Sequence, residues 1–303
     1  MPDIVAVGEP MIEFNEAPDG RYVQGFGGDT SNVITAAARL GASTRYLTLL
    51  GKDRFGDDLM ALWQRDGVDT SFIKRHASAP TAVYFVNHTD AGHAFTYLRA
   101  GSAASCMSYT DFPETAFSGA KYLHVSAVSQ AISYSARDAV GQAVEFAARA
   151  GAVLSYDTNL RLRLWPLEEA RAAIHATAHR AQILKTSIED AQTLLGLADA
   201  EAVVAHYLDL GAEIVVVTLG ADGALVATPE RRERIAPHKV AFVDATGAGD
   251  AFAGALLASL SRGLDPFAAA RFANAAAAIA TTGYGAVAPL PTREQVEQLL
   301  RGL

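Results

Sequence analysis

The sequence predicts an α/β fold: a three-layer sandwich with a mostly parallel central sheet flanked by helices, plus a small β-sheet lid. Three observations lead there. Short β-branched runs alternate with alanine-rich stretches of helical period, the pattern of parallel strands joined by crossover helices. Gly41, Gly151 and Gly211 stand at equivalent helix-to-strand stops, where a residue free to turn left-handed ends a helix. The alternation breaks at residues 10–26 and 72–98, which read as short antiparallel strands. In chain order, the first strand is 4–7 (IVAV), and a helix opens after Thr30 and closes at Gly41. Strand 45–50 and helix 55–66 follow. Residues 81–87 and 94–98 flank the turn 90–93 (DAGH), a hairpin signal with glycine well placed. Strand 121–125 leads to helix 133–149, strand 153–157 to helix 167–181, and strand 182–185 to helix 188–195. Helix 201–210 precedes strand 214–218, and the apolar run 251–260 and alanine-rich 267–280 are the last helices read. Strands leaving a parallel sheet suit a flap over its carboxyl edge, where open α/β sheets bind ligands. The expected organisation is one domain, 1–303, with an inserted lid from about 10–26 and 72–98.

Composition narrows the function. The 303 residues are 50% hydrophobic, ample for a core, and only 19% charged. A formal charge of −8 argues against a nucleic-acid or anionic-membrane surface, so small polar metabolites are the expected partners. No run approaches the roughly 20 apolar residues of a membrane span, and the first residues, MPDI, lack a basic leader, so a cytoplasmic protein is expected. The single cysteine, Cys106, excludes an intrachain disulfide and reads as a small packed hydrophobe. His175 and His179 are four apart on a helix, but Arg171 on the same face argues against a cation site.

Three segments carry chemistry. Residues 244–250 (DATGAGD) join a glycine-rich turn to the apolar helix beginning near Gly247. The free N–H groups of such a helix start form an anion seat. Asp250 at that junction is either a helix cap or the acceptor for a hydroxyl proton. Residues 25–32 (GFGGDTSN) run straight into the first long helix. There Gly28 allows close backbone approach, while Asp29 and Asn32 present acceptors and a donor to neighbouring hydroxyls, with a loop capped by Asp29 or Thr30 as the alternative. Residues 157–165 (DTNLRLRLW) follow a strand. Arg161 suits a carboxylate ligand through its planar fork, with a surface ion-pair cluster as the alternative and Arg163 as an outward or structural partner.

Residues 244–254 (DATGAGDAFAG) closely resemble the C-terminal signature of the ribokinase-like (PfkB) carbohydrate kinases. Residues 25–32 resemble the family's N-terminal glycine motif, and GGDTxN, DxNxRxxLW (157–165) and YxRxGSA (97–103) resemble the 2-keto-3-deoxygluconate kinases within it. The resemblance spans nearly the whole chain and implies the sandwich with its lid. It implies that Asp250 is the catalytic base, with Gly247, Ala248 and Gly249 around the migrating phosphoryl group. It places Glu9 where many relatives hold a distal hydroxyl, and Tyr84, Tyr97, Arg99 and Arg161 around a keto-acid. On the nucleotide side it implies Thr218, Gly220, Gly223 and Asn274, with a buried, internally bonded amide as the alternative for Asn274. Ser187 and Asp190 stand where relatives carry N-x-x-E, so magnesium placement through water falls to Asp190 on a shorter arm. ATP and Mg²⁺ are the implied cofactors, a monovalent cation such as K⁺ is open, and a homo-oligomer formed through lids is expected. The expected activity is ATP-dependent phosphorylation of the terminal hydroxyl of a sugar acid. Fructokinase or ribokinase action on a neutral sugar is the rival, and a non-enzymatic sugar or nucleotide sensor the alternative of another class.

Overall fold

The structure, a computed structural model, describes residues 1–17, 19–89 and 92–302; Asp90 and Ala91 of the expected hairpin turn lie outside them. Its main sheet has eight strands. Six are parallel, in the spatial order β12 (Ile214–Thr218), β11 (Ile183–Ser187), β10 (Val153–Asp157), β9 (Tyr122–Ser126), β1 (Ile4–Val7) and β4 (Thr44–Leu47). Beyond β12 the sheet ends in antiparallel β13 (Ala224–Ala227) and β14 (Arg232–Ile235), which the sequence reading did not separate.

Both faces are covered, as a parallel sheet requires. On one face, Leu123, Val125, Leu154, Tyr156, Leu184 and Val217 pack under α4 (Tyr134–Arg149), α5 (Leu167–Ala178) and α7 (Ala200–Asp209). On the other, Ile4, Ala6, Ile183 and Val216 pack under α1 (Asp29–Arg39), α8 (Ala248–Ser261) and α9 (Pro266–Ala280). The apolar run after Gly249 is buried on nearly every side because α1 and α9 both pack on α8.

A separate four-stranded sheet has the order β3 (Tyr22–Gly27), β2 (Met11–Glu16), β7 (Ala82–Thr89) and β8 (Gly92–Leu98). Its segments match the two expected excursions to within one residue, but the sheet is mixed rather than antiparallel throughout, since the excursions meet in the parallel pair β2 and β7, and β6 (Lys74–His76) does not join it. It pairs instead with β5 (Leu49–Gly51), because the expected strand 45–50 breaks at Thr48, whose carbonyl accepts the Lys74 amide at 3.3 Å. α2 (Arg54–Arg65), α6 (Ile188–Leu195) and α10 (Arg293–Arg301) complete the helices used below. Helix 167–181 stops at Ala178, and Cys106 is exposed rather than packed.

Candidate active site

The carboxyl ends of the parallel strands lie along one edge of the sheet, and strand register sets their side chains in a row. Asp157 is level with Ser126 on one side and with Lys185 on the other. Side chains alternate along a strand, so Lys185 shares the face of Ile183, the face that packs toward α8. Lys185 Nζ donates to Asp157 Oδ2 at 2.8 Å, and both side chains are buried. Burial disfavours the ammonium, but the Asp157 carboxylate outweighs it and holds Lys185 above the ordinary lysine range. Lysine inside an apolar buried strand was the signal available in the sequence, and the reading above gave it no role.

α8 begins at Gly247, whose φ of 76° is left-handed and therefore suits glycine. A Cβ there would sit 2.9 Å from the Ala286 carbonyl oxygen, and one on Gly249 would sit 3.3 Å from Lys185 Nζ. Asp244 fixes the turn: Oδ1 accepts the Thr246 amide at 2.9 Å and Oδ2 the Gly285 amide at 3.0 Å. Asp250 is in the first turn of α8 and caps nothing, since Gly247 is the cap residue. Its Oδ2 instead accepts from Asn32 Nδ2 of α1 at 2.8 Å. Removal from water, with Asp29 nearby, pushes the Asp250 carboxyl up to about 7, against the pull of Asn32 and Lys185. A carboxylate poised near neutrality and held by an amide can accept a hydroxyl proton at ordinary pH.

Gly28, not Asp29 or Thr30, caps α1; its φ is 96°, and a Cβ there would lie 2.2 Å from the Glu9 carbonyl oxygen. Asp29 accepts the Ser126 hydroxyl, and burial raises its carboxyl above the usual range. Asp29 Oδ1 and Asn32 Oδ1 are buried without a protein partner among the described residues, which suits them to a polyhydroxylated ligand.

The Glu9 carboxylate, expected to meet a ligand hydroxyl, is engaged within the protein. It is buried, and its two oxygens take Arg99 and, at 2.9 Å, the Ser102 hydroxyl. Burial pushes Glu9 up against the pull of Arg99, and Arg99 Nε is left buried without a protein partner. Arg99 also lies over the Tyr97 ring, 5.6 Å from its centroid, and Tyr97 stacks on Tyr84 at 5.7 Å. Tyr84 turns its hydroxyl to Glu13, a buried acid of β2 that the sequence reading missed. The signal was present as an acid alternating with Ile12 and Phe14 along a strand. Burial raises Glu13 too, and Gly25 and Gly285 leave room for it, since a Cβ on either would approach its Oε1 within 3.1 and 2.5 Å. A cavity of about 890 Å³ opens beside Glu13, lined also by Asn15, Val23, Tyr284 and Gly285; Asp250 is not among the residues that line it.

After β10 the chain turns at Asn159, at a left-handed φ of 23°. Asp190 Oδ2 accepts the Leu160 amide at 2.9 Å, so this carboxylate pins the turn rather than standing free for a metal. Ser187 caps α6, accepting the Asp190 amide at 3.0 Å. Exposed Arg161 bonds the adjacent Leu160 carbonyl and makes no ion pair among the described residues, while its charge pulls on the Asp190 carboxyl. Arg163 reaches the lid, donating to the Phe95 carbonyl at 3.2 Å.

On the far side, Thr218 ends β12, and Gly220 and Gly223 turn the chain at φ of 57° and 85°. A Cβ on Gly223 would meet the Ile235 carbonyl oxygen at 2.0 Å, which ties that turn to β14. Asn274 is buried and donates to the Ala236 carbonyl at 2.8 Å, as the internally bonded alternative held. His175 and His179 stack at 4.5 Å on an exposed face, and no metal-binding cluster of three or more His, Cys, Asp or Glu occurs among the described residues.

Comparison with known proteins agrees with this arrangement. The sequence profile of the pfkB family carbohydrate kinases matches residues 1–293. A 2-dehydro-3-deoxygluconokinase of Thermoproteus tenax is 36% identical over all of this chain and 95% of its own length. Fructokinase-1 of Oryza sativa subsp. japonica is also 36% identical, over 98% of this chain and 97% of its own. A crystal structure of fructokinase with bound ATP from Xylella fastidiosa superposes with a TM-score of 0.91 at 28% identity, covering 100% of this chain and 99% of that one. With a matching profile, full-length relatives and the glycine turn, helix start and half-buried Asp250 in one place, the chain belongs to the pfkB family of carbohydrate kinases.

Proposed function

We propose that this carbohydrate kinase phosphorylates the terminal hydroxyl of a sugar acid, 2-keto-3-deoxygluconate, giving the 6-phosphate. The observation that carries the acid specificity is Arg161: a guanidinium at the carboxyl end of β10 that makes no ion pair among the described residues, with the Asp190 carboxyl feeling its charge, beside a segment tied to the lid by Arg163. A neutral sugar gives that fork nothing to pair with. The Thermoproteus relative, named for 2-dehydro-3-deoxygluconate, the same compound, supports the reading. One observation favours a neutral sugar: Arg99 is already paired with Glu9, so its charge is largely answered before any ligand arrives. Fructose is therefore the second reading, in keeping with the rice relative.

In the proposed reaction, Asn32 holds Asp250 toward the sugar hydroxyl, and Asp250 accepts its proton as the oxygen attacks the γ-phosphorus of ATP, whose bond to the bridging oxygen breaks to release ADP. Backbone N–H groups around Gly247, Ala248 and Gly249 face the transferred charge. Glu9, Asp29, Asn32, Tyr84, Tyr97 and Arg99 shape the sugar side around Gly28, and Thr218, Gly220, Gly223, Ser187 and Asn274 support the nucleotide side. The donor set fits Mg²⁺ carried on the phosphates with its waters and no dedicated protein cage, with Asp190 reaching it at most through water. When bound, Mg²⁺ would neutralise phosphate charge. No helix among the described residues is long and apolar enough to cross a membrane. A cytoplasmic location, where ATP is at hand, and a homo-oligomer formed through the lid belong to the same proposal. The exposed Val23 and Leu98 on the outer strands β3 and β8 support the latter.

The test is sugar-dependent ADP release from ATP and Mg²⁺, with 2-keto-3-deoxygluconate, fructose and ribose compared. ADP release with the keto-acid above either neutral sugar supports the proposal. Release only with a neutral sugar leaves the family assignment and removes the acid specificity, and ligand binding without release points to a sensor.

A further inference from the structure

We propose that Lys185 is a positioning residue of the transfer site: its ammonium, tethered by Asp157 against the first turn of α8, is the fixed positive charge set against the Asp250 carboxylate. The inference rests on the reading of Asp250 as proton acceptor. Its geometry is independent of that reading. Register places Lys185 beside Asp157, alternation turns it toward α8, and the Asp157 bond of 2.8 Å fixes its end. The ammonium then lies against Gly249, close enough that a Cβ there would be 3.3 Å from Nζ. Position 249 therefore has a reason to be glycine beyond the anion seat, since a side chain would press on the ammonium.

The charges facing Asp250 come from four elements. α1 brings Asp29 and the Asn32 amide, β10 brings Asp157, β11 brings Lys185, and the lid strand β7 brings Tyr84. Three carboxylates thus gather where a triphosphate would add more negative charge, and Lys185 is the cation among these groups. A buried ion pair is a poor device for stability, because an apolar pair of similar volume would pack the same core without the desolvation cost. Its presence here points to the site. Asp157 takes one of the three ammonium donors, which leaves others for a phosphoryl oxygen held over the α8 start.

Two charge changes on opposite sides of the pair give the test: the pH dependence of kcat/KM between about pH 5 and 9 for wild type, Lys185→Met and Asp157→Asn, with thermal melting in parallel. Wild type should lose activity below about pH 7 as Asp250 takes up a proton. Lys185→Met should move that acidic limb to higher pH by roughly one unit, the lower end for loss of a neighbouring opposite charge. It should also lower kcat by roughly 10²-fold, as when a preorganised charge-stabilising donor is removed. Asp157→Asn should move the limb the other way, because it removes a like charge and leaves the ammonium uncompensated. A limb that stays put in Lys185→Met while the melting temperature falls would show Lys185 to be only a structural partner and overturn the proposal. If Lys185→Met does not fold, Asp157→Asn decides alone, and absence of a downward move overturns it. A wild-type profile without an acidic limb fails earlier, at the assignment of Asp250, and takes the inference with it.

Discussion

The two sides of the cleft are built from different material. The proposed sugar side is made of buried and half-buried side chains already bonded to one another: Glu9 with Arg99 and Ser102, Glu13 with Tyr84, Asp29 with Ser126. The proposed nucleotide side relies chiefly on backbone, in left-handed turns at Gly220, Gly223 and Gly247. Backbone N–H groups reach any phosphate alike, whereas a fixed network of acids and guanidinium groups fits one pattern of hydroxyls and charge. Changes on the two sides should therefore separate: the sugar side alters which substrate is used, and the backbone side alters turnover of every substrate equally.

Asp250 lies where the sides meet, so Asp250→Asn should break both at once. Turnover should fall by at least ~10²-fold for every sugar, with substrate binding little changed. The same variant should melt higher than wild type above pH 7. Burial raises the Asp250 carboxyl in the folded state, so ionising it costs stability as pH rises from its unfolded value toward about 7; the asparagine avoids that cost. The gain should vanish on acidification toward pH 4.

Arg161→Ala tests the sugar side alone. A charge-assisted bidentate contact contributes on the order of 2–3 kcal/mol, so the KM for the keto-acid should rise roughly 30- to 150-fold while that for ATP stays put. Lysine at 161 should recover part of it, since a point charge does not reproduce the fork. Gly247→Ala tests the backbone side: a Cβ at a φ of 76°, 2.9 Å from the Ala286 carbonyl oxygen, should lower kcat by roughly tenfold for acid and neutral sugars in equal proportion. Equal KM effects of Arg161→Ala on acid and neutral sugars would collapse the distinction between the sides. The smallest effect expected is from Asn274→Ala. Loss of its bond to the Ala236 carbonyl should cost on the order of 1–2 kcal/mol of stability, seen as a melting point lower by a few degrees, with kcat nearly intact.

Legibility in the sequence follows the same division. Backbone sites need glycine at fixed offsets, so Gly28, Gly220, Gly223 and the 244–250 turn stood out, as did the alternation that fixes the sandwich. Pairings between distant side chains leave no such mark. Glu9 was read as a ligand for a hydroxyl, when 90 residues on lies the arginine that takes it. Asp190 was read as placing a metal through water, and only the fold shows that one of its oxygens also takes the Leu160 amide. Glu13 and Lys185 each sit in an apolar strand, where a lone charge signals a partner without naming it. Thr48 ended a strand early because its carbonyl pairs with β6, a contact made across 26 residues.

The central claim is that the sugar side was built for an acid. The most direct measurement is kcat/KM of the wild-type enzyme for 2-keto-3-deoxygluconate and for fructose, with ATP and Mg²⁺ saturating, in one preparation. A guanidinium free of ion pairs among the described residues, of the worth given above, predicts a preference of at least ~30-fold for the keto-acid, and its loss in Arg161→Ala. Equal or greater efficiency with fructose, unchanged by Arg161→Ala, would contradict the claim and leave a kinase of neutral sugars.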